Sequence, residues 1–566
     1  MKKTILITIL GSIILLSFIK IQDNPIGKHY FQITKNLDIY FDLMRELDLF
    51  YVDEINPEKL VKTSIDKMLE TLDPYTVFYP ESDIEDYKFM TTGEYGGVGA
   101  LITKKGNYIM ITDPYKNAPA QKAGIISGDV ILEINGKSIK GKSVSEVSDL
   151  LKGEPGTTLE LTIKRYGLKE PLKIKIKREK IKIPAVSYSA ILQNHIGYIK
   201  LRSFTMDCSK EVKDAYKKLK EQDPQMQGLI FDLRGNPGGL LIEAINTANI
   251  FIPKDKKIVY TKGKVSQWNR EYKTPAPAVD DSIRLVLLVD GGSASASEIV
   301  SGSIQDYDRG VLIGQRTFGK GLVQTTRDLS YNTKVKLTTA KYYIPSGRCI
   351  QALDYSHKDK NGEATTIPDS LIKEFTTQKG RKVYDGKGIV PDLVVDLPDF
   401  PYYVVSLINK NIIFNYASLF YNKVKSIPQP PKFSVTDSIL SDFKNYLDTV
   451  HFTYEPQTEK ELDNLKKIAK AEKYLKAIKD KLGEIKTVLD KDKKRDFEKN
   501  KSLIKQILEQ EIAGRYAYNQ GKIATFLKYD PETKEAIDVL SDTAKYNHYL
   551  KATYKPGTDT LKVKAY

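Results

Sequence analysis

The chain has 566 residues, which is too long for one hydrophobic core and predicts three to five structural units. Apolar residues make up 41% of it, and 88 Lys+Arg against 72 Asp+Glu give a formal net charge of +16. The basic residues are spread along the chain without an arginine-rich or aromatic-interleaved block, so we expect no nucleic-acid partner. Two cysteines, Cys208 and Cys349, exclude a disulfide framework and a Cys-x-x-Cys metal site, but leave one bridge open.

The N-terminus has the pattern of an export signal. Lys2 and Lys3 precede an apolar run from Ile5 to Ile19, so residues 1–22 are expected to be a signal peptide or signal anchor of a protein of the periplasm or cell envelope. No small-x-small cleavage site and no lipid-attachment cysteine follow this run. An uncleaved inner-membrane anchor therefore stays open, although about fifteen apolar residues are fewer than the roughly twenty that span a bilayer.

Residues 23–92 are predicted to form a helical arm. Apolar positions recur every three or four residues from Ile33 to Tyr51, and a second helix should begin at Pro57 and end before Pro74. Such a helix pair is suited to contact a second copy of the chain or to cap the next domain. Both interpretations stay open.

Residues 93–180 change to short β-branched runs, which predict strands over 98–102, 108–112, 130–134, 159–165 and 172–177, with short helices over 118–123 and 144–151. Gly97-Val98-Gly99-Ala100 opens the first strand, and a glycine turn over 124–129 follows. These residues resemble a PDZ domain of the bacterial protease type. Glycines let the backbone turn its N–H groups inward as a carboxylate cradle, and the adjoining strand edge can accept a peptide. Gly97, Val98, Gly99 and Ala100 are therefore the expected peptide-binding residues.

The remaining chain divides near Pro401. Over residues 181–400, predicted strands at 196–201, 228–232, 285–289 and 311–313 alternate with helical or glycine-rich segments, which indicates an α/β core. Residues 401–566 are lysine-rich and helical in pattern, with a proline-rich break at 428–431. Thr458 and Glu461 predict a capping box at the start of one of these helices. We expect a helical extension, and it is a second candidate for a homodimer contact.

The segment 292–324 offers the residues that could carry chemistry. Ser295 precedes the predicted first turn of a helix, where unpaired N–H groups and the helix dipole favour an oxyanion. Ser293 and Ser297 are equal candidates by composition, but one lies further back in the loop and the other inside the helix. Lys320 lies between two glycines after an apolar strand, next to Phe318, which could exclude water. Burial favours the neutral amine that a general base requires.

Together these residues resemble the C-terminal processing, or tail-specific, peptidases, which are serine/lysine proteases with a PDZ domain. The resemblance covers roughly residues 30–400. It implies that Ser295, immediately before Ala-Ser-Glu-Ile, is the nucleophile, that Lys320 is its base, and that Gln324 orients the lysine amine. It also matches Asp306 to a frequent family aspartate, although a structural role for an aspartate late in a helix is equally open.

Residues 231–239, Phe-Asp-Leu-Arg-Gly-Asn-Pro-Gly-Gly, match another hallmark of that family, a strand ending in a glycine turn beside the active site. By resemblance this turn supplies one oxyanion N–H, from Gly238 or Gly239, and Ala296 supplies the second. A strand of any α/β protein can also end in such a turn. The five histidines are scattered away from this region, and we expect neither a metal nor a cofactor.

The expected fold is a multidomain α/β protein: a crotonase-like layered peptidase core with an inserted PDZ domain, an N-terminal helical arm and a C-terminal helical extension. The expected function is that of an exported serine endopeptidase that captures accessible C-termini of unstructured proteins and cleaves through an acyl-enzyme. Two alternatives are an inactive PDZ scaffold of the envelope and an acyl-CoA enzyme of the crotonase type.

Overall fold

The computed structural model describes residues 25–360, 362–397 and 399–563, so the expected signal segment, residues 1–22, lies outside the described residues. Two compact units are present. One contains residues 25–81 and 326–337, and the other contains residues from 82 to 325 and from 338 onward. Within the described ranges, no helix is both long enough and apolar enough to cross a membrane.

The smaller unit consists of two helices and a short β ladder. Its elements are α1 Pro25–Phe50, α2 Pro57–Glu70 and β1 Val77–Tyr79. Asn56 caps α2 by accepting a hydrogen bond from the Lys59 N–H at 2.9 Å, which confirms the predicted start at a proline. The hydroxyls of Tyr40 and Ser64, 2.7 Å apart, join the two helices. Strand β1 pairs antiparallel with residues 334–336.

The larger unit begins with the segment predicted to be a PDZ domain. Its elements are α3 Ile84–Thr92, β2 Glu94–Gly97, β3 Ala100–Lys105, β4 Tyr108–Pro114, α4 Pro119–Lys122, β5 Val130–Ile134, β6 Lys137–Ser138, α5 Val144–Leu151, β7 Thr158–Lys164, β8 Leu172–Lys177 and β9 Glu179–Lys182. One antiparallel sheet has the order β3-β4-β5-β7-β8, with β6 added to β5, and β2 pairs with β9. Strand β3 lies at the sheet edge, so one of its sides has no partner among the described strands.

The α/β core, as predicted from its alternating pattern, follows. Its elements are β10 Val186–Leu192, β11 Ile196–Leu201, α6 Cys208–Gln222, β12 Gly228–Asp232, α7 Leu241–Ala248, β13 Lys257–Gly263, β14 Arg270–Lys273, β15 Arg284–Val289, α8 Ala296–Asp306, β16 Val311–Gly314, β17 Leu322–Asp328, β18 Lys334–Tyr343, β19 Leu353–Lys358, β20 Ala364–Thr366, β21 Glu374–Thr376, β22 Lys382–Tyr384 and β23 Leu393–Asp396. The C-terminal elements are α9 Tyr402–Asn409, α10 Ile412–Lys423, α11 Asp437–Thr449, α12 Gln457–Ala471, α13 Leu475–Lys493, α14 Asp496–Lys499, α15 Lys501–Phe526, α16 Pro531–Ser541, α17 Thr543–Tyr549 and β24 Asp559–Lys562.

A seven-stranded sheet organises the core in the order β10-β11-β12-β15-β16-β23-β24. Neighbours from β11 to β24 are parallel, and β10 is antiparallel to β11. Every residue of β12 is buried because apolar side chains cover both faces of the sheet, as is usual for parallel strands. Helices α6, α7 and α8 contribute to one apolar layer, and α16 and α17 contribute to the other.

The C-terminal segment is only partly an appendage. Its last strand, β24, extends the core sheet beside β23, and α16 covers the face of that sheet opposite α8. Helices α9, α10, α11, α14 and α15 contribute to a separate apolar cluster. The predicted capping box at Thr458 is wrong, because α12 begins at Gln457 after Pro456, which leaves Thr458 inside the first turn. Cys208 and Cys349 are both free thiols.

Candidate active site

The serine loop connects the buried end of β15 to the start of α8. Ser295 precedes the first helical residue and adopts φ 56° and ψ −112°, a conformation that costs a non-glycine residue about 1–3 kcal/mol. Ser293 and Ser297 are fully buried, and their hydroxyls donate to the carbonyls of Leu233 at 2.9 Å and Asn236 at 2.8 Å. Ser295 is partly exposed. Of the three hydroxyls, the one on Ser295 is therefore the one open to a substrate.

Glu298, which the sequence interpretation missed, connects the serine loop to the lysine segment. One carboxylate oxygen, Oε2, accepts hydrogen bonds from the backbone N–H groups of Ser295 at 2.8 Å and Lys320 at 2.9 Å. The other oxygen accepts from the Gly319 N–H at 2.7 Å and the Thr317 hydroxyl at 2.6 Å. A single buried side chain therefore fixes the main chain of both expected catalytic residues.

Burial raises the pKa of Glu298 to about 7, although four hydrogen-bond donors oppose that rise. The ionised form can accept all four bonds, whereas the protonated form would turn one acceptor position into a donor. A sequence signal for this residue existed. Ser295-x-x-Glu298 is the Ser-x-x-Glu pattern in which a glutamate reaches back to the N–H at the helix start.

Lys320 follows β16 in an irregular segment and is partly buried. Phe318 was expected to shield it from water, but its side chain is 48% exposed. Gln324 lies on β17, and its amide nitrogen donates to the Thr338 hydroxyl at 3.3 Å. The orienting role of Gln324 stays a prediction.

Asp306 lies at the opposite end of α8 from Ser295, about 16 Å along the helix axis at 1.5 Å per residue. It is buried, forms an ion pair with Arg348 at 2.8 Å and accepts from the Ser346 N–H at 2.9 Å. Burial raises its pKa against the opposing effect of Arg348. These contacts favour the structural role for Asp306 over a supporting role beside the serine.

The glycine turn after β12 lies against Ser295, as the family resemblance implied. A Cβ on Gly238 would lie 2.6 Å from the Ala294 carbonyl oxygen and 2.9 Å from the Ala296 nitrogen, so only glycine fits there. The Gly238 N–H donates to the Asn236 side chain at 2.9 Å and is therefore occupied. Within the described part of the chain, the N–H groups of Gly239 and Ala296 have no acceptor, and these two are the better oxyanion candidates.

An ionic cluster supports the start of this turn. Arg234 pairs with Asp232 at 2.8 Å, with Asp530 at 2.7 Å and with Glu532. Burial alone would raise the pKa of Asp232, but Arg234 and Lys200 hold it below its ordinary value. Two of the acidic partners come from the C-terminal segment, so that segment helps to position the loop beside the serine.

The expected peptide-binding loop occupies the start of the PDZ sheet. Gly99 has φ 73°, Val98 is buried, and Ala100 begins the edge strand β3. Over the described ranges, no acceptor bonds the N–H group of Val98, and the N–H group of Gly99 donates to the Tyr95 hydroxyl. The loop and the free strand edge are thus suited to bind a terminal carboxylate and the chain that precedes it.

Comparison with known proteins agrees with this geometry. Residues 195–356 match Peptidase family S41, residues 110–165 match the PDZ domain, and residues 403–540 match the C-terminal helical domain of a probable PDZ-protease. The Carboxy-terminal-processing protease of Bartonella bacilliformis is 38% identical over 56% of this chain and 73% of its own length. The chain belongs to the carboxy-terminal-processing proteases.

A second curated relative gives the same result for this carboxy-terminal-processing protease. A Probable CtpA-like serine protease of Staphylococcus aureus is 35% identical over 70% of this chain and 72% of its own length. The solved structure of a photosystem II D1 C-terminal processing protease is 30% identical, covers 58% of this chain and 91% of its own, and has a TM-score of 0.33.

The family membership decides between the functions that the sequence left open. The chain is a serine-type peptidase with a PDZ domain and acts on protein substrates with accessible C-termini. The inactive scaffold is not favoured, because the named relatives are proteases. The family match likewise points to peptide hydrolysis rather than to acyl-CoA chemistry.

Proposed function

We propose that this protease is exported and that it cleaves tailed protein substrates through an acyl-enzyme on Ser295. The Ser295 hydroxyl attacks the scissile carbonyl while the neutral amine of Lys320 accepts its proton, and the protonated lysine then gives that proton to the leaving amine. Gln324 orients the amine. The N–H groups of Ala296 and Gly239 stabilise the oxyanion, and water releases the acyl group by the same proton route in reverse.

One observation carries this assignment: the same carboxylate oxygen of Glu298 accepts from the N–H groups of Ser295 and Lys320. A shared acceptor holds the backbones of these two residues at a fixed position relative to each other. Acyl transfer requires this, and peptide binding alone does not. The strained backbone at Ser295 is consistent with a functional position.

The test uses a fluorophosphonate probe and a substrate with an unstructured apolar tail. Ser295→Ala should abolish probe labelling and lower kcat by about a thousandfold or more. Lys320→Ala should also remove activity while tail binding is retained, and Lys341→Ala, at an exposed lysine on β18, is the matched control. Undiminished turnover by Ser295→Ala would refute the assignment.

Export is the second part of the proposal. It rests on the charged and apolar pattern of residues 2–19, and the choice between a cleaved signal and a membrane anchor follows from the N-terminus of the mature protein. Fractionation of cells that express the full chain, with mass determination of the product, tests it. A new N-terminus beyond residue 19 supports a signal peptide, and intact chain in the membrane fraction supports an anchor. Intact chain in the soluble cytoplasmic fraction would contradict export.

A second copy of the chain is proposed to cover α1. This helix of 26 residues exposes large apolar side chains along its length: Tyr30, Phe31, Ile33, Leu37, Ile39, Phe41, Leu43, Leu49 and Phe50. At 1.5 Å per residue the helix is about 39 Å long, enough for a homodimer contact of roughly 800 Å² per partner. Apolar surface of this extent is unusual on a monomer.

Light scattering after size-exclusion chromatography of the mature protein tests this contact. The double variant Leu37→Glu and Phe41→Glu should convert a dimer to a monomer. The double variant Gln32→Glu and Asn36→Glu adds the same charge at exposed polar positions of α1 and should remain dimeric. A monomeric wild type, or a dimer in both variants, would exclude α1 as the dimer contact.

A further inference from the structure

Tyr342 on β18 contacts both expected catalytic residues, although neither the motifs nor the family resemblance singled it out. The side chain is 1% exposed. Its hydroxyl donates to the carbonyl oxygen of Lys320 and lies 3.1 Å from the carbonyl oxygen of Ser295. One hydroxyl hydrogen shared between two carbonyls is a three-centre hydrogen bond. The hydroxyl therefore bridges the main chain of the nucleophile and that of the base.

The two ends of this bridge differ in how they are otherwise held. The carbonyl of Ser295 also accepts from the N–H groups of Glu298 at 2.9 Å and Ile299 at 3.0 Å, so helix α8 holds it in place. Lys320 lies between Gly319 and Gly321 in a segment without regular secondary structure. Flanking glycines leave such a segment with more backbone freedom than other residues would. The hydrogen bond from the Tyr342 hydroxyl therefore connects the lysine segment, which has the greater backbone freedom, to the Ser295 carbonyl that α8 holds in place.

A second hydrogen bond from Tyr342 also holds the lysine segment. The backbone N–H of Tyr342 donates to the Gly321 carbonyl at 2.9 Å, so hydroxyl and backbone of one residue hold successive carbonyls of the lysine segment. Glu298 binds the N–H groups of Ser295 and Lys320, and Tyr342 binds their carbonyl groups. The main chain of Ser295 and that of Lys320 are therefore each held at the N–H group and at the carbonyl group.

We propose that Tyr342 is a positioning residue for proton transfer between Ser295 and Lys320. This inference rests on the proposed roles of those two residues. A general base must come within hydrogen-bond reach of the proton it removes, and a displacement of about 1 Å can cost a hundredfold in rate. The hydroxyl of Tyr342 sets that distance through the main chain and does not touch the substrate.

Tyr342→Phe removes the hydroxyl and keeps the ring, and Tyr343→Phe is the matched control. Tyr343 is the next residue on β18, and its ring stacks on Tyr260 with centroids 5.0 Å apart. In the full chain, kcat and KM for a tailed substrate, the rate of fluorophosphonate labelling at Ser295, tail-peptide affinity and the melting temperature should be measured for both variants.

For Tyr342→Phe we expect kcat and the labelling rate to fall about ten- to a hundredfold, while KM and tail-peptide affinity stay within about twofold of the wild type. Tyr343→Phe should match the wild type in kcat, KM, labelling rate and tail-peptide affinity. A purely structural role would lower the melting temperature but leave kcat per folded molecule unchanged, and that result would overturn the inference. Equal losses in both variants would overturn it as well.

The same experiment separates this inference from the function on which it rests. Wild-type protein that hydrolyses the substrate without labelling at Ser295, and Ser295→Ala that retains turnover, would overturn the proposed function and the role of Tyr342 with it. Normal Ser295 dependence together with an undiminished Tyr342→Phe would overturn only the role of Tyr342.

Discussion

Glu298 is the residue on which the site geometry depends most directly. It accepts four hydrogen bonds from the two segments that carry Ser295 and Lys320, and it does so from a fully buried position. A buried carboxylate with this many donors is held in one rotamer, and its loss leaves buried donors without a partner. The proposed catalytic pair is thus positioned by a side chain that takes no part in the expected chemistry.

The first prediction concerns Glu298→Gln. A glutamine amide presents N–H donors where two of the four donors now point, so we expect labelling at Ser295 to slow by about a hundredfold or more. Glu146→Gln is the control. Glu146 completes the same motif at the start of α5, where it accepts from the Ser143 N–H at 2.8 Å in an exposed position. Slowed labelling in Glu146→Gln, or unchanged labelling in Glu298→Gln, would contradict the prediction.

The raised pKa of Glu298 predicts a pH-dependent contribution to stability. The folded protein binds the proton up to about pH 7, and the unfolded chain releases it near 4.5. The contribution is therefore fully present below about pH 4.5 and is lost as the pH rises through 7, with a magnitude of about 3 kcal/mol. Urea unfolding at pH 5 and pH 8 measures it.

Glu298→Gln cannot ionise and should lack this component. The comparison between the two proteins isolates Glu298, because other groups that titrate in this range, such as Glu532, are common to both. An identical change in the free energy of unfolding between pH 5 and pH 8 in the wild type and the variant would rule out the raised pKa.

At the scale of elements, the sequence predicted strands best where burial is complete. The runs at 228–232 and 285–289 agree with β12 and β15 within a residue, because the interiors of these central parallel strands are continuous apolar runs. Strand β24 has no such signal. Its four residues pair with β23, which lies more than 160 positions earlier in the chain, and such a pairing depends on the folded sheet rather than on local pattern.

The candidate site, like the strands, could be predicted from the sequence only in part. The start of α8 predicted Ser295 rather than Ser293 or Ser297 as the nucleophile, and in the structure both alternatives are buried. The Ser-x-x-Glu motif would have identified Glu298, yet its counterpart at Thr458 lies inside a helix, so the motif alone does not establish a cap. The choice between Gly238 and Gly239 required knowledge of the hydrogen bond from Gly238 to Asn236. Tyr342 is brought to the site by the pairing of β18 and has no local signature.

The PDZ loop supports the third prediction. A Cβ on Gly99 would lie 2.4 Å from the Ala118 Cβ at φ 73°, so Gly99→Ala should displace the loop and weaken binding of a tailed peptide tenfold or more, by about 1.4 kcal/mol. Hydrolysis of tailed substrates should suffer through KM, while labelling at Ser295 persists. Peptide affinity is measured by fluorescence anisotropy.

Gly106→Ala is the matched control for the loop. Gly106 also has a positive φ, 59°, but a Cβ there meets no atom within 4 Å. The backbone strain is therefore similar and the collision is absent. Equal affinity loss in both variants would assign the effect to strain in the domain rather than to the loop.

At the scale of the molecule, the C-terminal segment completes the catalytic core. Its strand β24 adds to the core sheet, its residues Asp530 and Glu532 pair with Arg234 beside the glycine turn, and α16 covers one face of the sheet. Helices α9 to α15 lie between that core and this segment in sequence. The serine loop and the end of the chain are therefore expected to unfold together, although more than about 230 residues separate them.

Leu540→Ala tests this coupling. Leu540 on α16 is fully buried and would lie 3.1 Å from a Cβ on Gly228 of β12, so its truncation opens a cavity against the core sheet. We expect the free energy of unfolding to fall by about 2–5 kcal/mol and Ser295 labelling to be lost at correspondingly lower urea concentration. Val488→Ala, at a 67% exposed position of α13, should change it by no more than about 0.5 kcal/mol. If Leu540→Ala lowered the helical signal while Ser295 labelling persisted to the wild-type urea concentration, the segment would be a separable appendage.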